Sequence, residues 1–370
     1  MRFLTADYLF PLHIAPIKKG VLQISEKGEV VEIFKNREAV PKEKLEIFKG
    51  ILSPGFVNAH CHLELSHMLG KLPKKTGLPD FISKIPKQRN KDPSKIKESI
   101  IEADLMMKRN GIVAVGDISN TTDSFFIKRE SNINYYTFVE VFAINPNKAD
   151  DAFKEGLKIL QYCPKPNSLV PHATYSVSSA LFSKIKDHNK GEIICIHNQE
   201  TDTEDELFKN GRGILYKYLK NFGELSITGK SALQTVLLQL PNNARLILTH
   251  NTFTKKEDID WVIKNNYSAY YCTCPKANLY IEGVLPDYSI FDIDKLCVGT
   301  DSLASNNSLS ILDELLVIKE NSNFDKNTLL KIGAKNGAEA LGFTDLGTFE
   351  RGKTPGVNLI QDFEKVIIID

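Results

Sequence analysis

The 370-residue chain has no surplus of either charge, no long apolar run and few cysteines, and each shortage removes a class of function. With 47 Lys+Arg against 46 Asp+Glu, the formal net charge is +1, which leaves no electrostatic footprint for nucleic acid or an anionic membrane. No stretch reaches the roughly 18 consecutive apolar residues that a membrane helix needs. The opening Met1-Arg2-Phe3-Leu4-Thr5-Ala6-Asp7 meets charge before a secretory apolar region can form, so no signal peptide is expected. Six cysteines, several inside apolar runs, predict reduced thiols and a cytoplasmic protein rather than a disulfide framework. Gly-x-x-x-x-Gly-Lys-Ser/Thr and Gly-x-Gly-x-x-Gly are absent, which removes the common phosphate cradles. Gly-x-Ser-x-Gly is absent too, and with it the serine-hydrolase elbow.

What remains is an ordinary globular composition, 42% hydrophobic and 25% charged, which excludes disorder, collagen and coiled coil. The ends and the middle differ in rhythm. Near the start, Tyr8-Leu9-Phe10, Gly20 to Ile24 and Gly28 to Phe34 are short apolar runs between turn signals, predicting a small antiparallel β unit. The texture returns in Gly347 to Lys353, Val357 to Ile360 and Val366 to Ile369, so residues 1–52 and 344–370 are expected to form one minor β-sandwich domain. Residues 53–343 carry eight short β-branched or apolar runs, at 55–58, 112–115, 136–139, 168–170, 193–196, 246–249, 268–271 and 296–299. Helical patterns separate them, as in Ser94 to Asn110 before Gly111, and in the segment after Asn307-Ser308 with Ile311, Leu312, Leu315, Leu316 and Ile318. Eight strand–helix alternations predict an α/β fold, a (β/α)₈ TIM barrel, with a doubly wound open sheet as the alternative.

Run after run ends in a potential ligand or acid: His60 and His62, Asp117, Glu140, His172, His197, His250, Cys272 and Cys274, and Asp301. In a barrel the C-terminal strand ends share one face, so residues scattered along the chain would meet in one pocket. His60 and His62 are two apart on an extended segment and point the same way, so both imidazoles can reach one ion. Three histidines and one aspartate suit a borderline divalent ion, Zn²⁺ first, with Fe²⁺ or Mn²⁺ also compatible. With an open position left for water, such an ion lowers the pKa of that water to about 7. Glu200, three residues after His197, could take the water's proton and return it to substrate, while His250 and Asp301 orient the water. The competing view of Glu200 is a solvated acid in the acidic stretch Thr201 to Glu206. His13 and His188 are expected at the surface, and His67 lies near enough to the pocket entrance to stay open. A cytidine-deaminase zinc site needs His-x-Glu and then Pro-Cys-x-x-Cys. His62-Leu63-Glu64 supplies the first half, but Cys272-Thr273-Cys274 does not supply the second, and these thiols are expected to pack.

Several segments resemble the amidohydrolase superfamily, in its deaminase and chlorohydrolase branch. They are Pro54 to Leu63, Pro171 to Ser176, His197 to Glu200, Thr249-His250-Asn251, Cys274 to Asn278 and Gly299 to Ser302, in order along nearly the whole chain. The resemblance implies a (β/α)₈ barrel with a β-sandwich built from both termini. It implies a single metal held by His60, His62, His197 and Asp301, with His250 on the attacking water or substrate and Glu200 as proton shuttle. His172 matches a substrate-contacting histidine, and Glu64, Asn278 and Glu140 complete the expected substrate contacts. No lysine ends the fourth strand, where dinuclear relatives carry a bridging one, which favours one ion. The family's Cys-Pro-x-Ser-Asn loses its Ser here, Ala277-Asn278 keeping only the Asn. His62 to Ser66 followed by Asp80-Phe81-Ile82 is similar to aminodeoxyfutalosine deaminases, which act on an adenine-like base.

The expected function is therefore hydrolytic deamination of an aminated purine, pyrimidine or adenine nucleoside by metal-activated water. Hydrolysis of a cyclic amide, or displacement of another leaving group as in a chlorohydrolase, would use the same ligands. A barrel that binds a small molecule without catalysis is the reading from another class. The expected partner is a small heterocyclic substrate, with no nucleic acid or membrane, and a homodimer is the commonest oligomer. Specificity is expected in the loop from Glu64 to Asn90, where Lys71, Lys74, Lys75, Lys84, Lys87 and Arg89 either greet an anionic group or are simply solvated.

Overall fold

The structure, a computed structural model, describes residues 1–89 and 92–369. Asn90, where the specificity loop was expected to end, lies outside the described residues. Each of the eight central runs forms a strand: β1 (Phe56–Cys61), β2 (Ile112–Ser119), β3 (Asn134–Val141), β4 (Asn167–Pro171), β5 (Ile194–Asn198), β6 (Leu246–His250), β7 (Ala269–Thr273) and β8 (Leu296–Val298). They are almost wholly buried, as parallel strands covered on both faces must be, which is why they read as continuous apolar runs rather than alternations.

All ladders among these strands are parallel. β1 to β4 form one four-stranded sheet and β5 to β8 another. The sheets meet at two seams, each a single parallel bridge: Ala173 with His197, and Cys61 with Asp301. At the second seam the amides of Thr300 and Asp301 both donate to the His60 carbonyl at 3.1 Å. Asn58 clamps it further, its Oδ1 accepting from the Thr300 amide at 3.0 Å and its Nδ2 donating to Thr300 Oγ1 at 2.8 Å.

Helices pack outside the strands. The helix Pro93–Arg109 starts behind Asp92, whose carboxylate accepts from the Ser94 amide, and has proline in its first turn, where a missing N–H costs nothing. Ile100, Ala103 and Met107 fall on one face and are buried, and Gly111 follows in the left-handed conformation (φ 70°). In the helix Ile311–Glu320, Ser310 caps the Asp313 amide while Ile311, Leu312, Leu315 and Ile318 turn inward.

Strands from both ends of the chain share one sheet, but the pairing differs from the antiparallel one expected. One sheet orders Lys365–Ile368, Val357–Gln361, Ile51–Pro54, Tyr8–Leu9 and Ile17–Lys18; the other orders Val30–Phe34, Val21–Ile24, Arg2–Thr5 and Leu45–Ile47. The unit is mixed rather than antiparallel, because Arg2–Thr5 pairs with Leu45–Ile47, and Tyr8–Leu9 with Ile51–Leu52, in parallel. These pairings join segments some 40 residues apart, which local turn signals do not register. Gly347 to Lys353 is loop, not strand; it docks through three backbone bonds, Val30 N–H to Lys353 O and Gly352 N–H to Val30 O, both 2.8 Å, and Phe349 N–H to Pro11 O at 3.0 Å. An apolar cluster of Leu4, Leu9, Leu22, Leu52, Phe349, Val357 and Leu359 draws on both ends of the chain. All six cysteines are free and buried, Cys272 and Cys274 among them, and no helix among the described residues is long and apolar enough to cross a membrane.

Asp117, at a strand end, does not face an open pocket. Its Oδ1 accepts from the Leu63 amide at 2.8 Å, and its Oδ2 pairs with Lys128 Nζ at 2.6 Å, both side chains fully buried. Removing one partner leaves the other charge buried alone, so Lys128→Met is expected to cost about 3–5 kcal/mol in denaturant unfolding. Replacing both residues by apolar ones should recover much of that loss. Gly299 lies where an added Cβ would come 2.7–2.8 Å from the His60 carbonyl oxygen, Cβ and amide nitrogen. Gly299→Ala must therefore push the β1–β8 seam apart, and a cost of about 1–3 kcal/mol is expected in thermal denaturation.

Candidate active site

The C-terminal ends of β1 and β5 bring three imidazoles to one point. His62 Nε2 lies 3.1 Å from His60 Nε2 and 3.3 Å from His197 Nε2, and all three residues are buried. Asp301, just past β8, adds Oδ1 at 3.5 Å from His62 Nε2 and 3.8 Å from His60 Nε2. The other Asp301 oxygen accepts from Ser305 Oγ, which fixes the carboxylate.

Tautomers follow from the outer partners. His197 Nδ1 is 2.8 Å from the His172 carbonyl, which can only accept, so Nδ1 carries the proton and the Nε2 lone pair faces inward. Burial, reinforced by the neighbouring histidines, pushes His60 and His197 well below the ordinary imidazole range, so both rings stay neutral. Ring nitrogens this close, with a carboxylate beside them, repel one another unless a cation lies between. The donor set, three imidazoles and one carboxylate, fits a borderline divalent ion.

His250 ends β6 with its ring 5.9 Å from that of His60 and 5.4 Å from that of His197. Its Nδ1 donates to Asn278 Oδ1 at 3.0 Å, and Asn278 Nδ2 donates back to the His250 carbonyl at 3.4 Å. The Nε2 lone pair is thereby free to face Glu200, whose Oε1 is 3.6 Å away. Glu200 is buried, not a solvated member of the acidic stretch, and burial holds its carboxyl well above the usual range, which favours its protonated form. Burial likewise depresses His250.

Around this centre lie the expected substrate contacts, and several are already engaged. Glu64 is 1% exposed, and its Oε2 accepts from the amides of Asn120 and Thr121 and from Thr121 Oγ1, each at 3.0 Å, while Arg89 Nη2 stands 3.5 Å from Oε1. Its carboxylate thus satisfies a loop. Asn278 is spent on His250. Glu140, at the end of β3, accepts from Asn120 Nδ2 at 3.1 Å and places Oε2 3.5 Å from His197 Nδ1; burial raises it to about 7. His172 hydrogen-bonds Ser176 Oγ at 2.7 Å, its ring 4.7 Å from that of His197, and burial lowers it to about 3. His13 and His188 are exposed, whereas His67 is buried. Among the loop cations, Arg89 meets Glu64, Lys84 pairs with Asp80 at 2.5 Å, and Lys74 stands over the Tyr280 ring.

Sequence reasoning missed the groups that hold this geometry. Gln199, His250, Asn251 and Asp301 all adopt left-handed backbone, at φ 44°, 74°, 55° and 55°. Such conformations cost non-glycine residues about 1–3 kcal/mol each and need support. Gln199 receives it from Thr254 Oγ1 at 2.7 Å, Asp258 at 3.0 Å and Asp205 at 3.2 Å. Asn251 donates to the Leu248 and Cys272 carbonyls at 2.7 and 3.2 Å. Ser305 and Asn120 are also new. Nothing in the spacing marks them.

Comparison with known proteins bears on this geometry. The model of the amidohydrolase family matches residues 51–366. The aminodeoxyfutalosine deaminase of Nitratiruptor sp. is 26% identical over 324 residues, 84% of this chain and 78% of that protein. The crystal structure of Helicobacter pylori aminofutalosine deaminase in complex with methylthio-coformycin superposes with a TM-score of 0.80 at 21% identity, covering 99% of this chain and 93% of that one. An adenosine deaminase from Xanthomonas campestris with bound zinc gives a TM-score of 0.72 at 20% identity, covering 97% and 84%. The shared fold is of the TIM-barrel type, and the match over 51–366 takes in the ends of all of β1 to β8: this chain belongs to the amidohydrolase family, whose members are metal-dependent hydrolases.

Proposed function

We propose that the chain is a hydrolytic deaminase of an adenine-bearing nucleoside. The carrying observation is the pair Glu200 Oε1–His250 Nε2, 3.6 Å apart, set against the cluster of three imidazoles. Relatives named as aminodeoxyfutalosine and adenosine deaminases support the substrate class. In this reading residues 53–343 close into a (β/α)₈ catalytic barrel and 1–52 with 344–370 form its β-sandwich.

His60, His62, His197 and Asp301 would hold one divalent ion, zinc by analogy with the zinc-bearing neighbour. That ion supplies Lewis acidity, bringing a water's pKa to about 7. The chain's own residues do the rest. His250 Nε2 accepts a hydrogen bond from the attacking water and Asp301 accepts another, which aims the oxygen at the amino-bearing ring carbon. Glu200 moves the protons. It protonates the ring nitrogen, making the carbon electrophilic, then carries the water's proton to the departing amino group. One water proton thus leaves with ammonia, and the other returns to Glu200 as the hydroxyl becomes the oxo group, replacing the proton given to the ring nitrogen. Asn278 keeps His250 in the required tautomer. Glu140 and His172, both packed against His197, would be the substrate contacts.

Two measurements test this. Ammonia release is expected from at least one of adenosine, 5′-methylthioadenosine or another 6-aminopurine nucleoside, and Glu200→Gln should lower kcat about 10²–10⁴-fold with metal content unchanged. Stripping with dipicolinate should abolish the activity, and added zinc should restore it. A metal-replete enzyme that releases no ammonia from any of these would instead place it with the cyclic-amide or chloride-displacing members of the family.

A further inference from the structure

We propose that Glu204 is the positioning residue that sets the proton-shuttling carboxyl of Glu200, a role resting on the deaminase reading above. Glu204 belongs to the first turn of the helix Thr203–Asn210 and is 0% exposed. Its side chain turns back along the chain, and Oε1 accepts from the Glu200 amide at 2.7 Å and from the Thr201 amide at 3.3 Å. The bond to the Thr201 amide, one residue before the helix N-cap Asp202, resembles half of a capping box, which a surface helix would use for its own stability. The shorter bond goes beyond that need. It takes hold of the backbone of Glu200 itself, directly after Gln199 in its left-handed conformation.

Two anchors therefore bracket Glu200. Upstream, the Gln199 carboxamide is held by Thr254, Asp258 and Asp205, and its carbonyl accepts from the Phe253 amide at 3.0 Å. Downstream, a single buried oxygen gathers the next two amides. Between them the Glu200 side chain has one direction to leave the backbone, toward His250. A surface carboxylate would serve a cap as well, so its burial calls for another explanation. Burial and the nearby Glu200 push Glu204 up to about 8, so near neutrality it holds a proton and adds no charge beside the shuttle. Only the acceptor oxygen is then required, and glutamine supplies the same one.

The test compares Glu204→Ala, Glu204→Gln and Glu204→Asp in the metal-loaded enzyme, on whichever aminopurine nucleoside the unmodified enzyme deaminates. The alanine and aspartate variants should lose about 10- to 100-fold in kcat with KM and bound metal unchanged, while the glutamine variant stays close to the parent. In a Glu200→Gln background, Glu204→Ala should have no further effect, because the group it positions is gone. Hydrogen exchange of the 199–201 amides should accelerate in the alanine and aspartate variants only, a readout that needs no substrate. Should the alanine variant fail to fold, the aspartate one carries the comparison, since it withdraws the oxygen by one methylene. Unchanged exchange at 199–201, full kcat in the alanine or aspartate variant, a loss additive with Glu200→Gln, or equal loss in the glutamine variant each overturns the proposal. Full activity in Glu200→Gln alone would overturn the deaminase mechanism instead, which separates the two failures.

Discussion

The site depends on one electrostatic constraint: three imidazole nitrogens and a carboxylate oxygen are held so close that their lone pairs repel one another without a cation. Such an arrangement persists only if the backbone is too stiff to relax. It is stiff because the ligands sit at the seams between the two sheets. The His60 carbonyl takes both the Thr300 and Asp301 amides, and the His172 carbonyl takes the His197 amide at 3.0 Å. Each seam is a single bridge rather than a ladder, so a few hydrogen bonds and the close approach of Gly299 decide where ligands from β1, β5 and the segment after β8 meet.

Around that centre the protein spends conformational strain and buries polar groups in order to aim side chains. Four non-glycine residues in left-handed backbone lie in or beside the site, and each sits in a buried network that repays part of the cost. Burial then does the chemical tuning. It holds His60, His197 and His250 below the ordinary imidazole range and Glu200 above the ordinary carboxyl range, which suits the imidazoles to lone-pair donation and the carboxyl to proton delivery.

Much of the fold was legible because the eight strands are covered on both faces and so stand out as unbroken apolar runs, each closing on a polar residue that the barrel geometry sends to one face. The minor unit was less legible. Its parallel pairings join Arg2–Thr5 to Leu45–Ile47 and Tyr8–Leu9 to Ile51–Leu52 across intervening hairpins, and Gly347 to Lys353 imitates a strand while serving as a docked loop. At the site, His60 and His62 were visible through their two-residue spacing on an extended segment. Glu204 was hidden inside an acidic stretch that composition alone assigns to solvent.

By itself the sequence determined which residue types end the strands, and with them the ligand chemistry, because periodicity and covalent spacing are local properties. Only the tertiary structure decided what those residues do. Glu64 and Asn278, plausible substrate contacts by position, are occupied by the Asn120–Thr121 loop and by His250, whereas Glu200 and Glu204 leave solvent for the interior. Burial and hydrogen-bond partners come from segments distant in the chain, and the charge state and aim of a carboxyl group depend on both.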